Sequence, residues 1–299
     1  MRFMEMFIQT IANGMLASLS LILVAIGLCL IFGILHIINF AHGEFYMLGG
    51  FGVWWLLEAN QLLAGIPLLG GYIAAVLTTM VVVAFLGILT EKYIFRPVRE
   101  THITLMIISL GVMLILQASA SVTFGPVDKS ISSPFEGIVR LGPVIFSNER
   151  LAAIISCVVF ICILYVIMYR TRIGKAMRAV AQDREAAEVQ GISTGKTFSI
   201  AMGISCGLAA AGGALIGPIY YVNPYMGMEP IMKAFAVVIL GGLGSLPGAI
   251  VGGFIIGFTE TFVSTYIGAH FALIVVFLIM IGVLIVKPTG LFGHDEQGI

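Results

Sequence analysis

Residues 35–50 read "LHIINFAHGEFYMLGG", and the reading of this stretch decides what kind of membrane fold the chain builds. Two histidines, an asparagine and a glutamate fall between His36 and Glu44, inside a region that is otherwise almost wholly apolar. In one continuous helix at 100° per residue, His36, Asn39, His42 and Glu44 would spread over most of the circumference. No single protein-facing stripe could then hide them, and a charge at a bilayer centre costs about 2.5–3.5 kcal/mol on insertion scales. The stretch therefore predicts a helix break, with Asn39 as N-cap of a new helix and Glu44 near its positive end. Two placements are open: a wet surface turn between two spans, or a buried break lining a pathway, since non-helical backbone at membrane depth needs protein or a water-filled cavity around it.

The surroundings fix the solvent as lipid. The 299-residue chain is 60% hydrophobic and 10% charged, against about 25% charged for a soluble domain, and its mean hydropathy is +1.09. Charge-free runs at 7–35, 61–90, 103–127, 197–228 and 234–259 reach or exceed the ~20 residues that span ~30 Å of hydrocarbon. They are too long and too continuous for the alternating segments of a membrane barrel. The expected fold is an all-α integral membrane protein, a polytopic bundle of about eight or nine spans with broken or re-entrant helices. With no linker or low-complexity tract, residues 1–299 read as a single transmembrane domain. The first apolar run is too long for a cleavable signal peptide. Zero net charge argues against nucleic acid as a partner. Cys29, Cys157, Cys162 and Cys206 lie in apolar runs without metal-ligand spacing and read as small apolar side chains, so no metal site is expected.

Charge sets the orientation. Lys92, Arg96, Arg99, Arg170, Arg172, Lys175, Arg178, Arg184 and Lys196 make nine of the 15 basic residues and fall in two loops, which the positive-inside rule places in the cytoplasm. Crossings at about 103–125 and 151–169 then leave 128–150 outside, and one at about 197–217 carries "PIYYVNPYMGMEP" outside. Three more, at about 231–244, 248–266 and 270–286, bring Lys287 inside. The piece 45–57 is short and either crosses with its polar flanks or re-enters.

A second interruption, "VILGGLGSLPGAIVGGFIIGF", resembles the first. Gly244, Gly248 and Gly252 repeat a small-xxx-small spacing that lets helix backbones touch, and Pro247 marks a break. Interrupted segments in both halves hint at the internal repeats of many transporters; ordinary tight packing explains the glycines equally well. Glu229 and Lys233 are four apart and predict a local ion pair. Glu260 lies in an apolar run, either as an intramembrane functional carboxylate or at a helix end near the outer face.

The loop 170–196, "RTRIGKAMRAVAQDREAAEVQGISTGK", has good helix formers up to Gln190 and ends them at Gly191, as an exposed docking helix or a plain connector would. Its "GISTGKT" is not a phosphate loop, because three residues rather than four separate Gly191 and Gly195. No enzyme constellation is present.

Taken together, "GLCLIFGILHIINFAHGEFYMLGG", "RTRIGKAMRAVAQDREAAEVQGI", "YYVNPYMG", "KAFAVVILGGLGSLPGAIVGG" and "VLIVKPTGLFG" resemble the permease subunits of branched-chain amino-acid ABC transporters over nearly the whole chain. The resemblance implies a multi-pass permease of the bacterial inner (plasma) membrane, working with a second, related permease subunit, two cytoplasmic ATPase subunits and an extracytoplasmic amino-acid-binding protein. ATP would be hydrolysed by those partners, with no cofactor bound by this chain. Glu185, Ala186, Ala187 and Gly191 match the start of the family's coupling motif; Ala201, Gly203 and Ile204 stand where its later portion would be. On this reading Lys175, Arg178, Arg184, Glu185, Ala186, Ala187 and Gly191 couple to the ATPases. Asn39, His42, Glu44 and Glu260 are candidates for the path of leucine, isoleucine or valine. Other readings remain: a urea or short-amide ABC permease, an ion-coupled transporter with a proton on Glu44 or Glu260, or a passive channel.

Overall fold

The computed structural model describes residues 2–60, 62–63, 65–99, 101–141 and 144–293. Along the chain run α1 (Arg2–Leu35), α2 (His42–Trp54), α3 (Leu68–Thr90) and α4 (His102–Phe124). A hairpin of β1 (Ile138–Leu141) and β2 (Val144–Ser147) follows. Then come α5 (Asn148–Arg170), α6 (Arg172–Gln182), α7 (Arg184–Val189), α8 (Thr194–Ile216), α9 (Met228–Gly241), α10 (Leu246–Tyr266) and α11 (Ala269–Val286). The strands pair antiparallel, with Ile138 opposite Ser147.

Seven of the described helices are long and apolar enough to cross a membrane. The 13 residues of α2 and the 14 of α9 span only about 20 Å each at 1.5 Å per residue, less than the hydrocarbon thickness. The expected eight or nine spans thus resolve into seven crossings and two half-length helices, and the crossing expected at 231–244 is one of the half helices. Apolar residues on every side mark α1 as a helix made for burial. α1 and α8 form the centre, each with 83% of its most apolar window buried, whereas only 11% of that window is buried in α11, which faces outward.

The two halves repeat one packing scheme. α1 packs on α10 as α8 packs on α3, α2 lies on α8 as α9 lies on α1, and α2 and α9 touch each other. The halves run in opposite senses. The start of α1 sits at the hairpin end, where Gln9 exchanges two hydrogen bonds with the backbone of Ile145 and Arg150 donates to Asn13. The start of α8 sits at the basic end, where Arg96 donates to the Gly195 carbonyl at 2.8 Å. Such opposed repeats are the build of many transporters. The positive-inside rule makes the basic end cytoplasmic and leaves the hairpin outside.

Candidate functional site

The first break is made by residues 36–41. α1 stops at Leu35, and His36 adopts φ +56°, which turns the chain back on itself. The Asn39 carboxamide oxygen accepts from the Ala41 amide at 3.1 Å, while the Phe40 amide donates to the Ser109 hydroxyl of α4 at 3.2 Å. Asn39 is therefore not the N-cap that its position predicts: it closes a turn, Ala41 occupies the cap, and the helix begins at His42. Glu44 does lie in the first turn. The break is buried rather than wet, with Asn39, His42 and Glu44 0, 0 and 1% exposed. His42 Nε2–H donates to the Val24 carbonyl of α1 at 3.1 Å. Among the described residues, Asn39 Nδ2, His42 Nδ1 and Glu44 Oε2 find no hydrogen-bond partner.

The twin of this break is at 217–227, not at Gly244 and Pro247. There the Asn223 side-chain oxygen accepts from the Tyr225 amide at 2.9 Å, repeating the Asn39 turn two residues on, and Gly227 caps α9. Gly43 and Gly227 bring the two helix starts into backbone contact: a Cβ on Gly43 would lie 2.5 Å from the Gly227 carbonyl oxygen, and one on Gly227 would lie 2.1 Å from that of Gly43. Asparagine followed by glycine four residues later is the common sequence of both starts. From this meeting point α2 runs toward the hairpin end, where Glu58 accepts from the Ser132 amide. α9 runs toward the basic end, where Gly241 lies against Gly248 of α10.

The Gly244–Pro247 region serves packing and helix initiation. Gly244, at φ +81°, sits against Gly33 of α1, and Gly252 lies close to the Val237 carbonyl. Ser245 caps α10 by accepting from the Gly248 amide at 3.2 Å, and Pro247 stands in the first turn, where its missing donor is harmless. The Glu229–Lys233 pair forms at 2.5 Å and gains a third member: Lys233 also donates to Glu260 at 2.5 Å, tying α9 to α10. Glu260 thus faces Lys233. One apolar cavity lies beside α9 and another between α3, α5 and α8. The first, of about 150 Å³ between α1 and α9, is lined by Leu28, Phe32, Ile37 and Phe235, and the second, of about 170 Å³, by Tyr72, Phe135, Glu149 and Phe160.

The loop 170–196 forms α6 and α7 at the basic end. The Thr171 hydroxyl caps α6 by accepting from the Gly174 amide, and the Asp183 carboxylate caps α7 by accepting from the Ala186 amide. Gly191, at φ +80°, ends α7 in the left-handed conformation glycine favours. α6 buries Gly174, Met177 and Val180 and leaves Lys175 exposed. Arg178 donates to the Met168 carbonyl and lies 5.2 Å over the Tyr169 ring, so it anchors the loop to α5. Ala187 is buried; Arg184, Glu185, Ala186 and Gly191 are exposed, and Val189 is 86% exposed at the tip. Arg184 pairs with Glu188 at 3.3 Å, and the Thr194 hydroxyl and Arg184 together hold the Glu188 carboxyl below its ordinary value. Among the described residues no three His, Cys, Asp or Glu side chains converge on a metal-sized point.

Glu91 was not legible as part of any site. It sits in a π-helical turn, Glu91–Phe95, that continues α3, and its side chain is fully buried between Arg96, Arg99 and Ser199.

Residues 10–284 match the family described as "Branched-chain amino acid transport system / permease component". The chain is 34% identical to the high-affinity branched-chain amino acid transport system permease protein LivH of Salmonella typhimurium, covering 97% of this chain and 96% of that one. It is 30% identical to BraD of Pseudomonas aeruginosa, named as the corresponding permease, over 97% of each. The archaeal protein of Methanocaldococcus jannaschii named as a probable LivH is 27% identical over 95% of this chain and 91% of its own. No solved structure matches. With its crossing helices, its paired breaks and these relatives, the chain belongs to the family of branched-chain amino-acid transport permeases.

Proposed function

We propose that this chain is a permease subunit of an ATP-driven importer of leucine, isoleucine and valine in a bacterial plasma membrane. Its partners are a second, related permease, two cytoplasmic ATPase subunits and an extracytoplasmic binding protein that delivers the solute. The chain acts as one transmembrane unit, hydrolyses nothing and binds no cofactor. The observation that carries the reading is the joint presence of the family match over residues 10–284 and an exposed, capped helical hairpin at the basic end.

Physically, the ATPase pair grips α6 and α7 through Lys175, Arg184 and Glu185, with Val189 at the tip, while Arg178 and the buried face of α6 pass the displacement into α5. Branched-chain amino acids are zwitterions with apolar side chains, so their path needs an apolar lining with a few polar groups. Asn39, His42 and Glu44 supply polar atoms that no group among the described residues uses. Each such atom left without a partner costs about 1–3 kcal/mol, which favours a role for them in the passage of solute or water. The Gly43–Gly227 contact closes the bundle in this state, and parting of the two helix starts opens it. Glu260 contributes by holding Lys233 and hence α9.

Purification of the tagged full chain in mild detergent tests the partner set. Two ATPase subunits and a second permease are expected in the eluate. Recovery of the chain alone, from cells in which deleting the ATPase genes leaves leucine uptake intact, would overturn the proposal.

A further inference from the structure

Glu91 is a fully buried carboxylate at the cytoplasmic end of a membrane helix. Burial of a charge is costly unless it is paired and hydrogen-bonded, and here both carboxylate oxygens are paired. Arg96 binds Glu91 at 2.9 Å, Arg99 binds its other oxygen, and the Ser199 hydroxyl donates to it at 2.5 Å. Arg96 also donates to the Gly195 carbonyl at 2.8 Å and the Ser199 hydroxyl at 2.7 Å. The end of α3 is therefore clasped to the first turns of α8 through charge-assisted bonds, the strong kind.

The clasp continues to α7. The Phe198 ring of α8, itself buried, lies under two guanidinium groups: Arg99 at 4.0 Å from its centroid and Arg184 of α7 at 5.8 Å. Glu188 of α7 accepts from Arg184 and from the Thr194 hydroxyl, the first residue of α8. One connected set of side chains thus runs from α7 through Phe198 and Arg99 to Glu91. The backbone under Glu91 is a π turn, Glu91–Phe95, followed by a 3₁₀ turn, Arg96–Val98. Single π turns are frequent at functional sites, while 3₁₀ turns commonly end helices. A rigid ionic knot joined to a helix with an irregular turn is the arrangement expected of a lever rather than of a plain packing contact.

We infer that Glu91, with Arg96, Arg99 and Phe198, is a set of positioning residues that transmits displacement of α7 to the α3–α8 pair and so couples ATP hydrolysis to opening of the path. This rests on the proposed ABC-permease reading. α3 packs along α8 and α8 carries α2, so a shift passed through the clasp reaches the two helix starts without contact between any clasp residue and the solute.

The test uses the complete complex in proteoliposomes, with Glu91→Gln and, separately, Phe198→Leu, which leaves the ion pairs intact. Co-purification of the ATPases, the rate of ATP hydrolysis and leucine taken up per ATP are all measured. Both variants are expected to retain the ATPases and hydrolyse ATP, yet to move at least roughly tenfold fewer leucines per ATP, within the usual range of coupling between sites. A merely structural role lowers hydrolysis and uptake together and leaves their ratio unchanged, and that result would overturn the inference. If the Glu91→Gln protein does not assemble, Phe198→Leu decides: a wild-type ratio refutes the lever. A wild-type complex that hydrolyses ATP but takes up a different solute defeats the leucine reading alone, and the same ratio is then measured with that solute.

Discussion

The two half helices begin alike and are finished differently. α2 and α9 both follow an asparagine that turns the chain onto its own backbone, and both present a glycine to the other at their shared origin. Past that point they diverge. In α9 the charge is settled: Lys233 is bound by Glu229 and Glu260, and Asn223 Nδ2 donates to Asp128 at 3.0 Å. At the start of α2 the polar groups are sealed from solvent, and Asn39 Nδ2, His42 Nδ1 and Glu44 Oε2 lack partners among the described residues. The repeat thus supplies two equivalent helix ends, one locked by ions and one left with polar capacity to spare. The difference matches the proposed division of labour, with anchoring at α9 and solute contact at α2.

The largest effect is expected from breaking the contact that seats α2 on α8. A Cβ on Gly213 of α8 would lie 1.9 Å from the Tyr46 carbonyl oxygen of α2. Backbone cannot yield as a side-chain tip does, so Gly213→Ala is expected to cost about 3 kcal/mol or more and to abolish folded protein in a detergent thermal-stability assay. Next comes the anchor. Lys233→Ala leaves the Glu260 carboxylate, whose side chain is 24% exposed, without its cation. The partial access to water reduces the cost to about 1–3 kcal/mol, read as a lowered melting temperature that Lys233→Met with Glu260→Gln largely restores. Third, Glu44→Gln is expected to keep expression and stability while cutting uptake roughly tenfold, about 1.4 kcal/mol in the limiting step. A carboxylate in the first turn of the other half helix, Glu229, has a side chain that is 70% exposed, and Glu229→Gln is expected to change uptake less than about twofold. Equal losses for Glu44→Gln and Glu229→Gln would erase the proposed division of labour.

Much of this was readable from sequence because hydrocarbon leaves few options. Runs without charge over a membrane thickness require helices, and four polar residues between His36 and Glu44 could not share one helical face. The Glu229–Lys233 pair was legible because it is local. What was hidden is non-local. The third member of that ion group, Glu260, is 27 residues beyond Lys233, and Ser199 lies 108 residues from Glu91. Glycine and proline make the second interruption, with Gly244, Pro247, Gly248 and Gly252, the conspicuous candidate for a twin of the first break. The true twin shares only the Asn-x-x-x-Gly spacing of 39–43 and 223–227, two residues of identity that stand out once the helix starts are seen in contact. Asn39 predicts an N-cap because Asn is a favoured cap, but the same side chain equally suits a turn that closes two residues on.

The most direct test of the central claim is accumulation of labelled leucine in proteoliposomes holding this chain alone or the complete complex with its ATPases, second permease and binding protein. Accumulation that requires every subunit and ATP, and stops when the ATPases cannot hydrolyse, is the predicted result. Concentration of leucine by the isolated chain, with no ATPase present, would contradict it.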